Sequence, residues 1–269
     1  MPNNTETVDQ NRYQIQSVTR AATLLNEIAN HGAGGLSVTE IAERLGVAKS
    51  TALALARTLV SAGLLRGVDP GPRYVLGLNL LRLGDLVGQQ TSIGELARPT
   101  LRVLSRVTRM TARLAMNEAG YPVFIERIDG EGSIRFHAPL GQREQPHATA
   151  AGKAILAHLP DTDVRLLLEE SGLARYTSRT LTQVDALLLD LVSVRSEGFA
   201  LDDEEQAEGV FCIGSAFFDH QGTCVGALSV TGLKVDVPLR EVRELGITVR
   251  DHADQISTML GGARPRIDS

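Results

Sequence analysis

His147, Cys212 and Asp202 are the residue types of a thiol nucleophile, its base and an orienting carboxylate. No local signature of a thiol enzyme surrounds any of them, so Cys212 reads as an inert strand thiol. The segment AAGKA, residues 150–154, hints at a phosphate loop. That pattern needs a glycine where His147 stands and a hydroxyl residue where Ala154 follows Lys153, so it fails twice. The histidines at 31, 137, 147, 158, 220 and 252 have no metal-ligand spacing. The expectation is therefore a chain with no catalytic residues, no metal and no cofactor, whose chemistry is binding.

Two stretches carry that chemistry. In GVAKSTALALARTLVSAG, residues 46–63, Ala52, Leu55, Ala56 and Leu59 follow the spacing of a helix face packed on its neighbours. The other side holds Lys49, Ser50, Thr51, Leu53, Ala54 and Arg57. Lys49, Ser50 and Thr51 lie in the first turn, where hydroxyls and amides can reach phosphate or base edges. Leu53 and Ala54 cannot hydrogen-bond, but apolar side chains contact the methyl of thymine; the alternative that Leu53 packs on the following strands stays open.

The second stretch is a pair of strands. In VFCIGSAFF, Cys212, Gly214 and Ala216 share one face, and in CVGALSVTG Ala227, Ser229 and Thr231 share one. Small residues on one face leave room for a ligand. The helix opening at AAGKAILAHL would add the free amides of its first turn, at Ala150, Ala151 and Gly152, a natural seat for a carboxylate.

Elements that could position these residues follow from periodicity. At 269 residues the chain favours two domains. Residues 1–11 read as a disordered arm. In SVTRAATLLNEIANHG, Val18, Ala21, Leu24, Leu25 and Ile28 fall on one helical face. Ser37 and Glu40 have the spacing of a capping box, and Leu36 and Ile41 that of a hydrophobic staple, before a helix over 38–45 that stops at Gly46. A short helix, a glycine turn and a longer helix make a helix-turn-helix; LLRGV and RYVLG then form a two-stranded wing. Arg20, Arg66 and Arg73 extend the basic side. Residues 12–76 thus form a mainly α, winged helix-turn-helix head, and 77–90 a linker helix with Leu78, Leu81, Gly84 and Leu86 on one side.

From 91 to 262 strands and helices alternate. MTARLAM, YPVFIERID, SIRFHAP, FALDDE, VFCIGSAFF and CVGALSVTG read as strands, and helices begin near Ala150, Asp161, Asp185 and Leu239, an α+β pattern with an antiparallel sheet. Residues 263–269 are a tail. The formal net charge of -5 is uneven, since between residues 12 and 76 Arg12, Arg20, Arg44, Lys49, Arg57, Arg66 and Arg73 outnumber Glu27, Glu40, Glu43 and Asp69. A mildly basic head on an acidic body suits a protein that meets a polyanion at one end. The polar start and the absence of a long apolar run argue against a secretory signal or membrane span, and two cysteines suit reduced thiols in the cytoplasm.

These residues resemble the IclR family of bacterial transcriptional regulators from about Tyr13 to Leu260. The head carries the resemblance in SVTRAATLL, LSVTEIAERLGVAKSTALALARTL and SAGLLRGVDPGPRYVLG; the body carries it in PLGQREQPHATAAGKAILAHLP and GFALDDEEQAEGVFCIGSAFFD. The resemblance implies a GAF-like or profilin-like effector-binding domain, a duplex DNA operator bound by a homodimer or homotetramer, and a small organic acid as effector. Carried over residue by residue, its effector site is the backbone at Ala150 and Ala151, then Asp202, Cys212, Ser229 and Thr231, with Phe136 and Val210 as apolar walls. Two positions depart from the pattern: Ala54 stands where arginine is common, and Ala151 where leucine or serine is. Asp202 beside an anion is repulsive unless it accepts a hydroxyl proton or is itself protonated, which favours a hydroxylated or hydrated acid. Two other classes compete with this one, an interaction module without DNA affinity and an enzyme acting on a small acid.

Overall fold

The computed structural model describes residues 15–69, 71, 73–90, 92–131, 136 and 139–265. The amino-terminal arm and most of the strand expected at SIRFHAP lie outside the described residues, as does the tail beyond residue 265. The chain divides into two compact units, Met1–Thr91 and Ser92–Ser269.

In the first unit α1 (Gln16–His31), α2 (Val38–Leu45) and α3 (Lys49–Ser61) enclose a core of Leu24, Ile28, Leu36, Ile41, Ala52, Ala56 and Leu59. The capping box at α2 is complete, since Ser37 N donates to Glu40 Oε2 at 2.7 Å and Glu40 N to Ser37 Oγ at 3.3 Å. Leu36 and Ile41, the staple pair, are both fully buried. Gly46 ends α2 in the left-handed conformation at φ 61°, where a Cβ would be strained, and this sets the tight turn into α3. Val18 does not join the face expected of it and is 62% exposed. It lies about 9 Å up the helix from Leu24 at 1.5 Å per residue, beyond the reach of the core.

The wing is larger than two strands. β2 (Leu65–Val68) and β3 (Arg73–Leu76) pair as expected, and β3 also pairs with a two-residue strand, β1 (Leu36–Ser37). α4 (Asn79–Gln90) begins on a contact with α3's end, where Asn79 Nδ2 donates to Ala62 O at 3.1 Å. Leu78 and Leu81, on the side expected to be apolar, are 77% and 73% exposed.

The second unit begins with α5 (Ile93–Thr108), a helix that the sequence reading leaves unassigned. Ser92 caps it, accepting from Glu95 N, and Ala97, Leu101 and Leu104 are fully buried. β4 (Thr111–Glu118), β5 (Tyr121–Ile128), β6 (Ala200–Asp203), β7 (Val210–Phe218) and β8 (Cys224–Leu233) form one antiparallel sheet in the order β5-β4-β8-β7-β6. α6 (Ala150–Leu156), α7 (Asp161–Ser171) and α8 (Val184–Glu197) lie on one face, while α5 and α9 (Val242–Met259) cover the other.

Strand alternation divides the side chains between these faces. Leu114, Phe211, Ile213, Phe217, Leu228 and Val230 join the cluster with α5 and α9. Ala115, Phe124, Ala216 and Ala227 join the cluster with α6 and α8.

Candidate functional site

The exposed side of α3 carries Lys49, Ser50, Ala54 and Arg57, while Thr51 and Leu53 are half-buried. Leu53 is not among the side chains that pack against the head's core, whereas Leu55 is. Lys49 and Arg57 have no carboxylate partner among the described residues, nor does exposed Arg66 on the wing or half-buried Arg20 on α1. These four cations are therefore free of intramolecular ion pairs among the described residues, and Lys49 and Arg57 share the exposed side of α3.

Arg73 departs from that group. Its guanidinium donates to Gly34 O at 2.8 Å and Gly35 O at 2.7 Å and pairs with Glu40 at 3.1 Å, so its donors hold the wing to the α1–α2 connection. The β1–β3 pairing brings Arg73 directly opposite Ser37, which gives this residue, expected at the DNA, an internal clamping role as well. The bonds from Ser37 and the nearby Arg73 lower the Glu40 carboxyl to a pKa of about 2.

In the body, the sheet register assembles the residues expected on the small face. Cys212 pairs with Thr231, Gly214 with Ser229 and Ala216 with Ala227 across β7 and β8, and Asp202 pairs with Cys212 across β6 and β7. Antiparallel partners point to the same side, so these side chains share one surface. α6 lies directly on it. A Cβ on Gly214 would stand 2.6 Å from Ala150 O and 2.8 Å from Ala151 N, so glycine is what allows the approach. Thr149 caps α6, accepting from Gly152 N at 3.1 Å, and Lys153 N donates to Thr149 O. This leaves the amides of Ala150 and Ala151 without an acceptor among the described residues. The expected amide at Gly152 is taken up by the cap.

Asp202 is fully buried. Its Oδ1 accepts from Glu205 N at 2.8 Å and Gln206 N at 3.2 Å, which fixes the β6–β7 turn, and its Oδ2 has no partner. Burial raises its pKa above the ordinary carboxylate value against the pull of those two bonds. Ser229 Oγ is likewise buried and unpartnered. Burial, with Asp202 beside it, pushes the Cys212 thiol up to about 12. His147 does not face it, since its Nε2 contacts Ala174 O at 3.0 Å and its ring stacks on Tyr176. Val210 is half-buried and on the same side of β7 as Cys212.

Phe136 is placed elsewhere. It is half-buried and lines an open cavity of about 920 Å³ with Met110, Val237 and Leu245, residues of the layer with α5 and α9; of the expected site, only Thr231 borders that cavity. The aromatic wall on the small face is Phe124 instead, which pairs with Ala115 through β5 and β4.

Three charged residues here escape the sequence reading. Arg113 sits on β4 opposite Ser229 and is 6% exposed; its guanidinium lies 4.0 Å over the Phe124 ring and donates from Nη2 to Thr231 Oγ1 at 3.2 Å. A charge in the middle of the strand run MTARLAM is the signal that could have found it. Glu144 approaches Arg113 Nη1 at 3.7 Å. Lys153 is buried on α6 between Glu205 at 2.6 Å and Asp190 at 3.0 Å, and though burial opposes its charge, these two carboxylates raise its pKa.

A winged helix-turn-helix with cations on the exposed side of α3, joined to an α+β body with buried polar groups, defines the class of two-domain DNA-binding regulators. Residues 17–69 match the model for the IclR helix-turn-helix domain, and residues 86–258 that for the carboxyl-terminal domain of the bacterial transcriptional regulator IclR. The chain is 34% identical to the HTH-type transcriptional regulator BhcR of Paracoccus denitrificans over 95% of its length and 90% of the relative's. It is 32% identical to the acetate operon repressor of Salmonella typhimurium over 93% of its length and 92% of that protein's. A crystal structure of an IclR transcriptional regulator from Silicibacter sp. TM1040 matches with a TM-score of 0.84 at 25% identity, covering 93% of this chain and 98% of that one. The chain belongs to the IclR family of bacterial transcriptional regulators.

Proposed function

We propose that this regulator is a repressor of a metabolic operon, that it binds a near-palindromic operator as a dimer or a dimer of dimers, and that a small organic acid bound on the small-residue face of its body is the effector. The observation that carries the effector reading is the set of buried polar atoms without partners on that face, Ser229 Oγ and Asp202 Oδ2, beside the unpaired amides of Ala150 and Ala151. Buried polar groups are ordinarily satisfied, and a ligand that both donates and accepts satisfies these. Relatives that are named repressors support the sign of regulation. One head carries too few free cations for tight specific binding, which supports two half-sites.

The test combines footprinting of the upstream region of the gene with calorimetry. Lys49→Ala and Arg57→Ala are expected to weaken operator binding with a shallower salt dependence. Ser229→Ala is expected to weaken acid binding about tenfold and leave operator affinity intact, since a hydrogen bond to a charged group contributes roughly 1.5 to 3 kcal/mol. A single half-site protected by a monomer would reject the assembly. Unaltered acid affinity in Ser229→Ala and Asp202→Asn together would place the ligand elsewhere.

A further inference from the structure

Arg113 is the least satisfied charge on the small-residue face. A guanidinium offers five N–H donors and does not lose its proton in a protein, so burying it calls for an anion with hydrogen-bond geometry. Here its one hydrogen bond goes to the neutral Thr231 hydroxyl, and its Nε is buried without a partner. The nearest anion, Glu144, stands at 3.7 Å from Nη1, beyond hydrogen-bond distance, and its own Oε2 is buried and unpartnered. Each group is thus buried beside a partner it meets poorly, and such a pair returns little of its desolvation cost.

The two come from different kinds of structure. Arg113 is fixed in the middle of a sheet, bonded to β8 and stacked on Phe124. Glu144 belongs to the connection that precedes α6, held to the edge strand β5 by Gly141 N to Phe124 O and Glu144 N to Pro122 O. The next residue, Gln145, accepts from Thr149, the residue that caps α6. Across the face from Arg113, beyond Thr231 and Cys212, lies Asp202 with its free acceptor; Thr231 Oγ1 and Cys212 Sγ are 3.3 Å apart. Arg113 and Asp202 stand three strand intervals apart, about 14 Å between backbones at about 4.8 Å each, and the two side chains cover part of that interval, so the molecule that joins them is a small one.

We propose, building on the effector reading above, that Arg113 is the residue that reads the effector's carboxylate, that Glu144 is an internal carboxylate holding its place, and that the effector is a 2-hydroxy acid. The ligand's carboxylate pairs with Arg113 Nε and Nη, its hydroxyl donates to Asp202 Oδ2, and Glu144 is displaced. Displacement loosens the connection before α6, which makes ligand occupancy a change in backbone order and not only in affinity.

Thermal shift and calorimetry on the full chain test this with glycolate and lactate, acetate as the acid without a hydroxyl, and glycolamide and lactamide as neutral counterparts. The hydroxy acids are expected to bind more tightly than acetate, and the amides not at all. Arg113→Gln is expected to abolish acid binding and Arg113→Lys to retain part of it, because lysine keeps the charge but not the bidentate geometry. Glu144→Gln is expected to tighten acid binding roughly tenfold by removing the competing carboxylate. In the wild type, hydrogen exchange at the Gly141 and Glu144 amides is expected to speed up at saturating glycolate. If acids bind, Ser229→Ala weakens them and neither Arg113→Gln nor Glu144→Gln changes them, this inference is overturned while the effector face stands. If no acid of the panel binds the wild type or Glu144→Gln, both readings fall.

Discussion

Along β8, Leu228 and Val230 point into the layer shared with α5 and α9, whereas Ala227, Ser229 and Thr231 point toward α6. The same alternation on β4 sends Leu114 one way and Arg113 the other. One face of the sheet is mainly an apolar contact made by large side chains, with an open cavity near Met110, Val237 and Leu245. The other has small residues at its centre, an arginine and an aspartate on its flanks, and several buried polar atoms without partners. The apolar face supplies stability through area and packing density. The polar face forgoes part of that stabilisation, and a strand that builds both must carry the difference in adjacent residues. On the proposed effector reading, this division keeps the layer that holds the sheet together apart from the one that a ligand would rearrange.

The largest expected effect lies where the polar face meets its covering helix. Lys153 joins α6 to α8 through Asp190 and to the turn after β6 through Glu205. Lys153→Ala leaves two carboxylates without their cation and is expected to cost about 3–5 kcal/mol in urea unfolding. A cost below about 1 kcal/mol would mean that the polar face is held by its apolar contacts alone. The next effect separates chain neighbours. Leu228→Ala opens a cavity in the packed layer and is expected to cost about 3 kcal/mol. Ser229→Ala removes a buried hydroxyl that has no partner, and its unfolding midpoint is expected to move little, within about 0.5 kcal/mol. Equal losses in the two variants would break the distinction between the faces.

The smallest effect is a slope against pH. Burial raises the folded-state pKa of Asp202 above its ordinary 3.8. Its contribution to stability is therefore complete below that value and declines as pH rises toward the folded-state pKa, where the folded chain must give up a proton that the unfolded chain has already lost. Asp202→Asn keeps an oxygen for the amides of Glu205 and Gln206, and is expected to flatten that part of the stability–pH curve above about pH 3.8. A variant curve that keeps the wild-type slope would assign the slope to another group.

Local patterns determined much of this protein from sequence alone. The capping box of Ser37 and Glu40, the stop at Gly46, and the face of Ala52, Ala56 and Leu59 depend on neighbours within a few residues, so spacing is enough to fix them. The alternation of Cys212 and Gly214 with Ser229 and Thr231 is equally local, and the register placed those residues opposite one another. The partnership of distant side chains was decided only by the tertiary structure. The spacing of Arg73 is that of a wing arginine, and only the pairing with β1 gave it its bonds to Gly34, Gly35 and Glu40. Phe136 resembled a pocket wall, and Phe124 took that place through the register of β4 and β5. Arg113, Glu144 and Lys153 look like ordinary charged residues in sequence, because desolvation depends on what other segments pack over a side chain, and no spacing within one segment encodes that.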